Sequence, residues 1–228
     1  MYTVKFYKGD YIDRQSQANA DKCVAYVEQH FNSFMSSDNY TVVITGSNAS
    51  QTSKNWGRWY AAAVAREFKI PVGGDQGIVV GGYDGRGDGN LRHTKMPAIL
   101  LEPLFASNPQ QSEWIRSENG QSKLALILCE SIRRFFQEGG TIGFSVGHKY
   151  KISNPGDRGA SVIGGGWEAD YAEAVLVKAK ELLEAVTSPQ TEREIRVMKD
   201  GAVLWTTSVD ADADFLWDPV RGVLRIGA

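Results

Sequence analysis

The segment GFSVGHKYKISNPGDRGASVIGGGWEADYAEAVLVKAKELLE, residues 143–184, constrains the fold more than any other part of the chain. A strand with aromatic and β-branched character runs into a glycine-rich loop, and the loop opens into an amphipathic helix. Such a unit belongs to an open α/β sheet, where ligands bind beyond the carboxyl ends of the strands. His148 lies just past the strand end and Glu168 opens the helix, so both fall on that edge. An imidazole and a carboxylate placed there make half of a metal site.

The remaining elements fit the same architecture. Strands are expected at YTVKFYK (2–8), Cys23–Val27, YTVVITG (40–46), around Ile78–Val80, at Ala98–Leu101 and at TIGFSV (141–146). IDRQSQANAD (12–21) has a polar, helical pattern. The cap-type residues SNAS lead into a helix carrying Trp56, Tyr60, Val64 and Phe68 at spacings of four, a stripe that reads as core. After an SNP turn, QSEWIRS begins a helical region. GQSKLALILCESIRRFFQEG then forms a helix with Leu124, Leu128, Ile132 and Phe135 or Phe136 inward, closed by Gly139 and Gly140. KIPVGGDQGIVVGGYDGRGDGNLRHTK is too glycine-rich for a regular helix. It lacks the Lys-Ser pair and following helix of a phosphate loop, and reads as a surface loop or flap over a site. The expected fold is α/β: an open, mixed, largely parallel sheet flanked by helices on both faces over residues 1–186. A linker at SPQT then leads to a small β-rich extension, 187–228, with a hairpin turning at Asp200-Gly201.

A formal net charge of -2 and a pI near 6.0 supply no basic field for nucleic acid. No apolar run approaches the roughly 18 residues of a membrane span. The opening MYTVKFYKGDYIDR lacks the apolar centre of a signal peptide. Cys23 and Cys129, far apart and without CxxC spacing, read as free buried thiols, the other reading being a disulfide or metal pair. Histidine is limited to positions 30, 93 and 148. His30, like His148, follows a strand, and Glu102 comes directly after Ala98–Leu101. A carboxylate at the end of a strand buried on both faces is costly without a cation, metal or proton to offset it; an ion pair with Arg92 is the plain alternative. His30, Glu102 and His148 at strand ends and Glu168 at a helix start therefore share one description. Two imidazoles and a carboxylate with an open fourth position are a common catalytic zinc set, and a further carboxylate beside them can handle protons.

Three segments carry a resemblance to the zinc-dependent N-acetylmuramoyl-L-alanine amidases of peptidoglycan. GFSVGHKYKISNPGDRGASVIGGGWEADYAEAV is similar to their opening strand, Gly-His pair, loop and helix-leading Glu. DRQSQANADKCVAYVEQHFNS resembles their middle segment, and PAILLEPLFASN their late strand with its catalytic glutamate. The resemblance implies Zn²⁺ held by His30, His148 and Glu168, a water activated at the zinc as nucleophile, and Glu102 as general acid/base. The bond cut would be the amide between N-acetylmuramic acid and L-alanine. Asn32 and Arg92 become candidate substrate-side or supporting residues.

The order of the segments departs from the family, whose first strand and helix here follow the last, so the domain resembles a circular permutant. Glu28 and Gln29 replace small or hydroxyl residues ahead of His30, which leaves His93 as its rival for the third ligand position. With peptidoglycan as partner and no signal peptide, the expectation is cytoplasmic accumulation with lysin-like delivery to the wall. A zinc peptidase acting on another amide and a non-catalytic wall-binding module are the alternatives. The C-terminal extension reads either as a wall- or partner-binding element or as a structural addition.

Overall fold

The computed structural model describes residues 1–185 and the strand segments 193–199, 202–209, 214–218 and 223–227. The chain divides into two units, Met1–Ala185 and Val186–Ala228. The first contains strands β1 (Tyr2–Phe6), β2 (Ala25–Gln29), β3 (Val42–Thr45), β4 (Ile78–Val80), the small β5–β6 hairpin (Gly82–Tyr83, Arg86–Gly87), β7 (Ala98–Glu102) and β8 (Gly140–Val146). Its helices are α1 (Tyr11–Ala20), α2 (Gln51–Phe68), α3 (Pro109–Arg116), α4 (Glu118–Phe135) and α5 (Glu168–Glu184).

Six strands make one sheet in the order β1-β8-β2-β7-β3-β4. β1, β8, β2 and β7 are mutually parallel; β3 runs antiparallel to β7, and β4 parallel to β3. The expected mixed, largely parallel α/β sheet is therefore present. Because β1, β8, β2 and β7 share a direction, their carboxyl ends line one edge, and His30, Glu102 and His148 follow or close three of them.

Alternation along the strands divides the core in two. Val27, Val43, Ile99, Leu101, Ile142 and Phe144 belong to the larger cluster, which the apolar faces of α2, α4 and α5 complete. Tyr26, Ile44, Ala98 and Leu100 belong to a smaller cluster with Tyr7, Leu91 and Ala18 of α1. In α2, Ser50 caps the start by accepting from the Ser53 amide at 3.2 Å, and Trp56, Tyr60, Val64 and Phe68 are all buried. In α4, Ser117 caps the Gly120 amide at 3.0 Å, and Leu124, Leu128 and Ile132 are fully buried. Each such side chain contributes roughly 1.5–3 kcal/mol of transfer free energy. The stop of α4 differs from expectation: Phe136, not a glycine, ends it at φ -131, and Gly139 and Gly140 shape the turn into β8 with φ of 75 and 118.

α1 has the polar composition expected of it, yet it buries Arg14 completely. The guanidinium donates from Nε to the Gly9 carbonyl at 2.6 Å, and from Nη1 to Ser145 Oγ at 2.7 Å and the Val146 carbonyl at 2.8 Å. Nη2 donates to the Lys149 carbonyl. One side chain thus ties the start of α1 to the carboxyl end of β8 and the backbone beyond His148. The Gly-rich segment also differs from a plain surface loop: Asn90 and Leu91 are buried under the sheet face that carries α1. Cys23 and Cys129 are free and buried. Among the described residues no helix is long and apolar enough to cross a membrane.

In the second unit, β9 (Arg193–Lys199) pairs antiparallel with β10 (Ala202–Val209), and β11 (Asp214–Asp218) with β12 (Val223–Gly227). The SPQT linker and the Asp200-Gly201 turn lie outside the described residues.

Replacing Arg14 by Ala leaves the Gly9, Val146 and Lys149 carbonyls without their charged donor. The expected cost is on the order of 3 kcal/mol, read as a lower urea midpoint at unchanged slope; a midpoint within error of the parent would show that Arg14 is not a fastening of the fold.

Candidate metal centre

Sheet geometry delivers the site. Strands β2 and β8 are adjacent and parallel, with Gln29 opposite Val146, so the residues that follow them, His30 and His148, emerge side by side. Their rings meet edge to face with centroids 4.9 Å apart. Gly147 makes this approach possible: a Cβ there would lie 2.3 Å from Cε1 of His30. His148 itself adopts φ 63, a left-handed conformation uncommon outside glycine but tolerated by histidine. The start of α5 brings in Glu168, almost fully buried, whose Oε1 is 2.7 Å from His148 Nε2 and 3.6 Å from His30 Nδ1. Gly159, at φ +70, admits this carboxylate, since a Cβ would sit 2.4 Å from Oε1. The ligand atoms of His30, His148 and Glu168 all lie within 4.8 Å of one another.

The far nitrogen of each ring is held from behind by a carboxylate. His148 Nδ1 faces both oxygens of Asp157 at 3.0 and 3.1 Å; those oxygens also accept from Lys151 Nζ and the Gly159 amide. His30 Nε2 pairs with Glu28 Oε1 at 2.9 Å, the carboxylate accepting from the tautomer that carries its hydrogen on Nε2. Each ring therefore turns its other nitrogen toward Glu168. In neutral rings of that tautomer, two nitrogen lone pairs and a carboxylate converge, an arrangement that requires a cation among them. A proton can serve. Burial disfavours charge on His30 and His148, but Glu168 acts against it in both, with Glu28 and Asp157 behind, and both pKa values end above the usual histidine range. Burial likewise raises Glu168, and its contacts with His148 and His30 more than offset this. A divalent metal suits the same three donors, since two imidazoles and one carboxylate backed by hydrogen-bonded partners are a combination that metal sites use.

Glu102 closes β7 beside this cluster. The residue is half-buried, yet its Oε2 is shut off from solvent and has no hydrogen-bond partner among the described residues. Burial pushes its pKa up to about 8; the charges of His30 and His148 pull it down and that of Glu168 adds to the rise. It forms no ion pair with Arg92. That arginine is exposed, 3.8 Å from Asp88 Oδ2, and its backbone lies beside Gly46, at the opposite end of β7 from Glu102. His93 is also remote from the cluster, its carbonyl accepting from Asn19 and its amide donating to Gln15, both on α1. Asn32 lies two residues beyond His30, but its side chain accepts from the Ser33 amide at 2.8 Å, closing its own turn.

Sequence reasoning missed Asp157, Asn90 and the buried Arg14. Glu28 departs from the family pattern ahead of His30, yet two-residue alternation places both on one sheet face, the one sequence signal of its role. Asp157 carried no comparable signal, lying nine residues from His148 within an irregular loop.

The fold and this cluster together define an α/β protein with a candidate metal-dependent hydrolytic site. The N-acetylmuramoyl-L-alanine amidase family model, Amidase_3, matches residues 4–134, more than half of the chain, and the chain belongs to that family. Among solved structures it is similar to the catalytic domain of CwlV from Bacillus (Paenibacillus) polymyxa var. colistinus, at 25% identity over 56% of this chain and 66% of that one, with a TM-score of 0.47. It is also similar to the N-acetylmuramoyl-L-alanine amidase of Clostridium difficile 630, at 21% identity, the same coverage and a TM-score of 0.48. The chain thus spans just under two thirds of the length of these structures. No curated protein sequence matches it significantly.

The raised pKa of Glu102 has a thermodynamic consequence. Between its ordinary value of 4.5 and about 8, the folded chain holds a proton that the unfolded chain has released. That contribution to stability is full below the lower value and is lost as pH rises through the upper one. In metal-free protein the melting temperature should therefore fall relative to that of Glu102→Gln, which mimics the protonated acid, as pH rises from about 5 to about 9. Thermal melts that stay parallel would show that Glu102 is not held protonated.

Proposed function

We propose that this chain hydrolyses the amide joining N-acetylmuramic acid to L-alanine in peptidoglycan, with Zn²⁺ held by His30, His148 and Glu168. The observation that carries this is the convergence of those three donors next to Glu102, in a chain of the amidase family. When bound, zinc supplies Lewis acidity that eases deprotonation of a water and polarises the substrate carbonyl. The protein's own residues do the rest. Glu102, whose Oε2 has no hydrogen-bond partner among the described residues, takes a proton from the attacking water. As the carbon–nitrogen bond breaks, it gives that proton to the departing alanine nitrogen, leaving a carboxylic acid on the lactyl group and a free amine on the stem peptide. In metal-free protein burial favours the protonated form of this carboxyl, and a cation held among His30, His148 and Glu168 would favour the ionised form that can take the proton.

The domain is read as a circular permutant of the family. Two observations support this. The family match ends at residue 134, ahead of His148 and Glu168. The Val4 amide, in β1, donates to Glu184 Oε1 at 2.6 Å, and Lys180 Nζ to the Val4 carbonyl at 3.1 Å, so β1 and the end of α5 are neighbours that a short connection could join.

Purified chain incubated with peptidoglycan is expected to release stem peptides with free L-alanine amino termini and to carry zinc. Glu102→Ala is expected to retain the zinc and lose at least about 100-fold in kcat. Loss of zinc in that variant would make Glu102 a ligand and overturn its role. Cleavage of other amides without release of stem peptides would replace the amidase reading with a peptidase one.

A further inference from the structure

Behind His30 lies a buried polar network whose hydrogen bonds can be assigned donor by donor. Arg14 can only donate, and its Nη1 donates to Ser145 Oγ at 2.7 Å. Ser145 Oγ in turn lies 3.1 Å from Glu28 Oε2 and donates to it. Asn90 Nδ2 donates to Glu28 Oε1, the same oxygen that faces His30 Nε2 at 2.9 Å. Glu28 is fully buried with donors aimed at both of its oxygens, a setting that fits the ionised carboxylate, which can only accept from the ring. His30 Nε2 must then be the donor, and the lone pair of a neutral ring falls on Nδ1, the nitrogen 3.6 Å from Glu168. At His148 the arrangement is mirrored, with Nδ1 turned to Asp157 and Nε2 to Glu168.

We propose that Glu28, clamped by Ser145 and Asn90, is the positioning residue that commits His30 to hold the metal through Nδ1, so that the two histidines ligate through opposite nitrogens. This rests on the zinc reading above. It gives a function to the Gly-rich segment as well, because Asn90 is its buried contact with the residue that orients a ligand. Glu28 reaches the ring because it precedes His30 by two residues and shares its face of the sheet. The Arg14–Ser145 contact extends the clamp to α1.

The test uses the full chain labelled with ¹⁵N-histidine and loaded with zinc. Long-range ¹H–¹⁵N correlation should show His30 protonated at Nε2 and metal-bound at Nδ1, and His148 the reverse. In parallel, zinc affinity is measured by competition with a chromophoric chelator. Glu28→Gln is expected to bind zinc about 10- to 100-fold more weakly, and Asn90→Ala to weaken it in the same direction. His30 ligating through Nε2 in the unaltered chain overturns the proposal while leaving the zinc reading intact. So does a folded Glu28→Gln variant whose affinity is within about twofold of the parent. Failure of the unaltered chain to bind zinc removes both readings. The tautomer measurement needs no variant and decides the matter even if Glu28→Gln does not fold.

Discussion

Glu168 Oε1 lies 2.7 Å from one imidazole nitrogen and 3.6 Å from another, and both of those nitrogens are turned toward it because their opposite sides are hydrogen-bonded to carboxylates. Three groups rich in lone pairs are thereby held closer than they would stand alone, and a positive charge among them is what makes the arrangement stable. The surrounding structure serves this convergence. Gly147 and Gly159 give up side chains so that the ring of His30 and the carboxylate of Glu168 can come in. Asp157 and Glu28 set the orientation of the rings, and Arg14 ties down the backbone beyond β8.

The sheet order explains how residues distant in sequence meet. β8 lies between β1 and β2, parallel to both, so the strand that delivers His148 sits directly beside the one that delivers His30. β7 flanks β2 on its other side and ends at Glu102. Carboxyl ends of parallel strands form a natural site edge, and α5, packed in the large core through Ala172, Val175, Leu176 and Ala179, presents Glu168 there from its first turn. With no side-chain hydrogen bond at its N-cap, α5 still has Glu168 and Asp170 in its first turn, where negative charge is favourable.

Much of this was legible in the sequence, because its signals are local. Strand runs ending in His30, Glu102 and His148, a helix beginning at Glu168, and i, i+4 stripes in α2 and α4 all follow from alternation and helical period. What was not legible depends on long-range contacts. Arg14 looked like one charge on a polar helix, and only the fold shows four acceptors around it. Asn90 lay in a glycine-rich stretch whose backbone could have gone anywhere. Arg92 looked like a partner for Glu102 from proximity in sequence, but the nine residues between them lead through β7 to the opposite end of that strand. The position of Glu28 two residues before His30 is readable in sequence, but its carboxylate is fixed behind the ring by Asn90 and Ser145, which only the fold brings to it.

The proposed metal lies among His30, His148 and Glu168. Anomalous diffraction at the zinc edge from crystals of the full chain grown with zinc tests it most directly. A metal so held gives a strong peak within bonding distance of His30 Nδ1, His148 Nε2 and the Glu168 carboxylate, with Glu102 close by but not ligating. A peak elsewhere, or none among these three residues at full zinc occupancy of the protein, would contradict it.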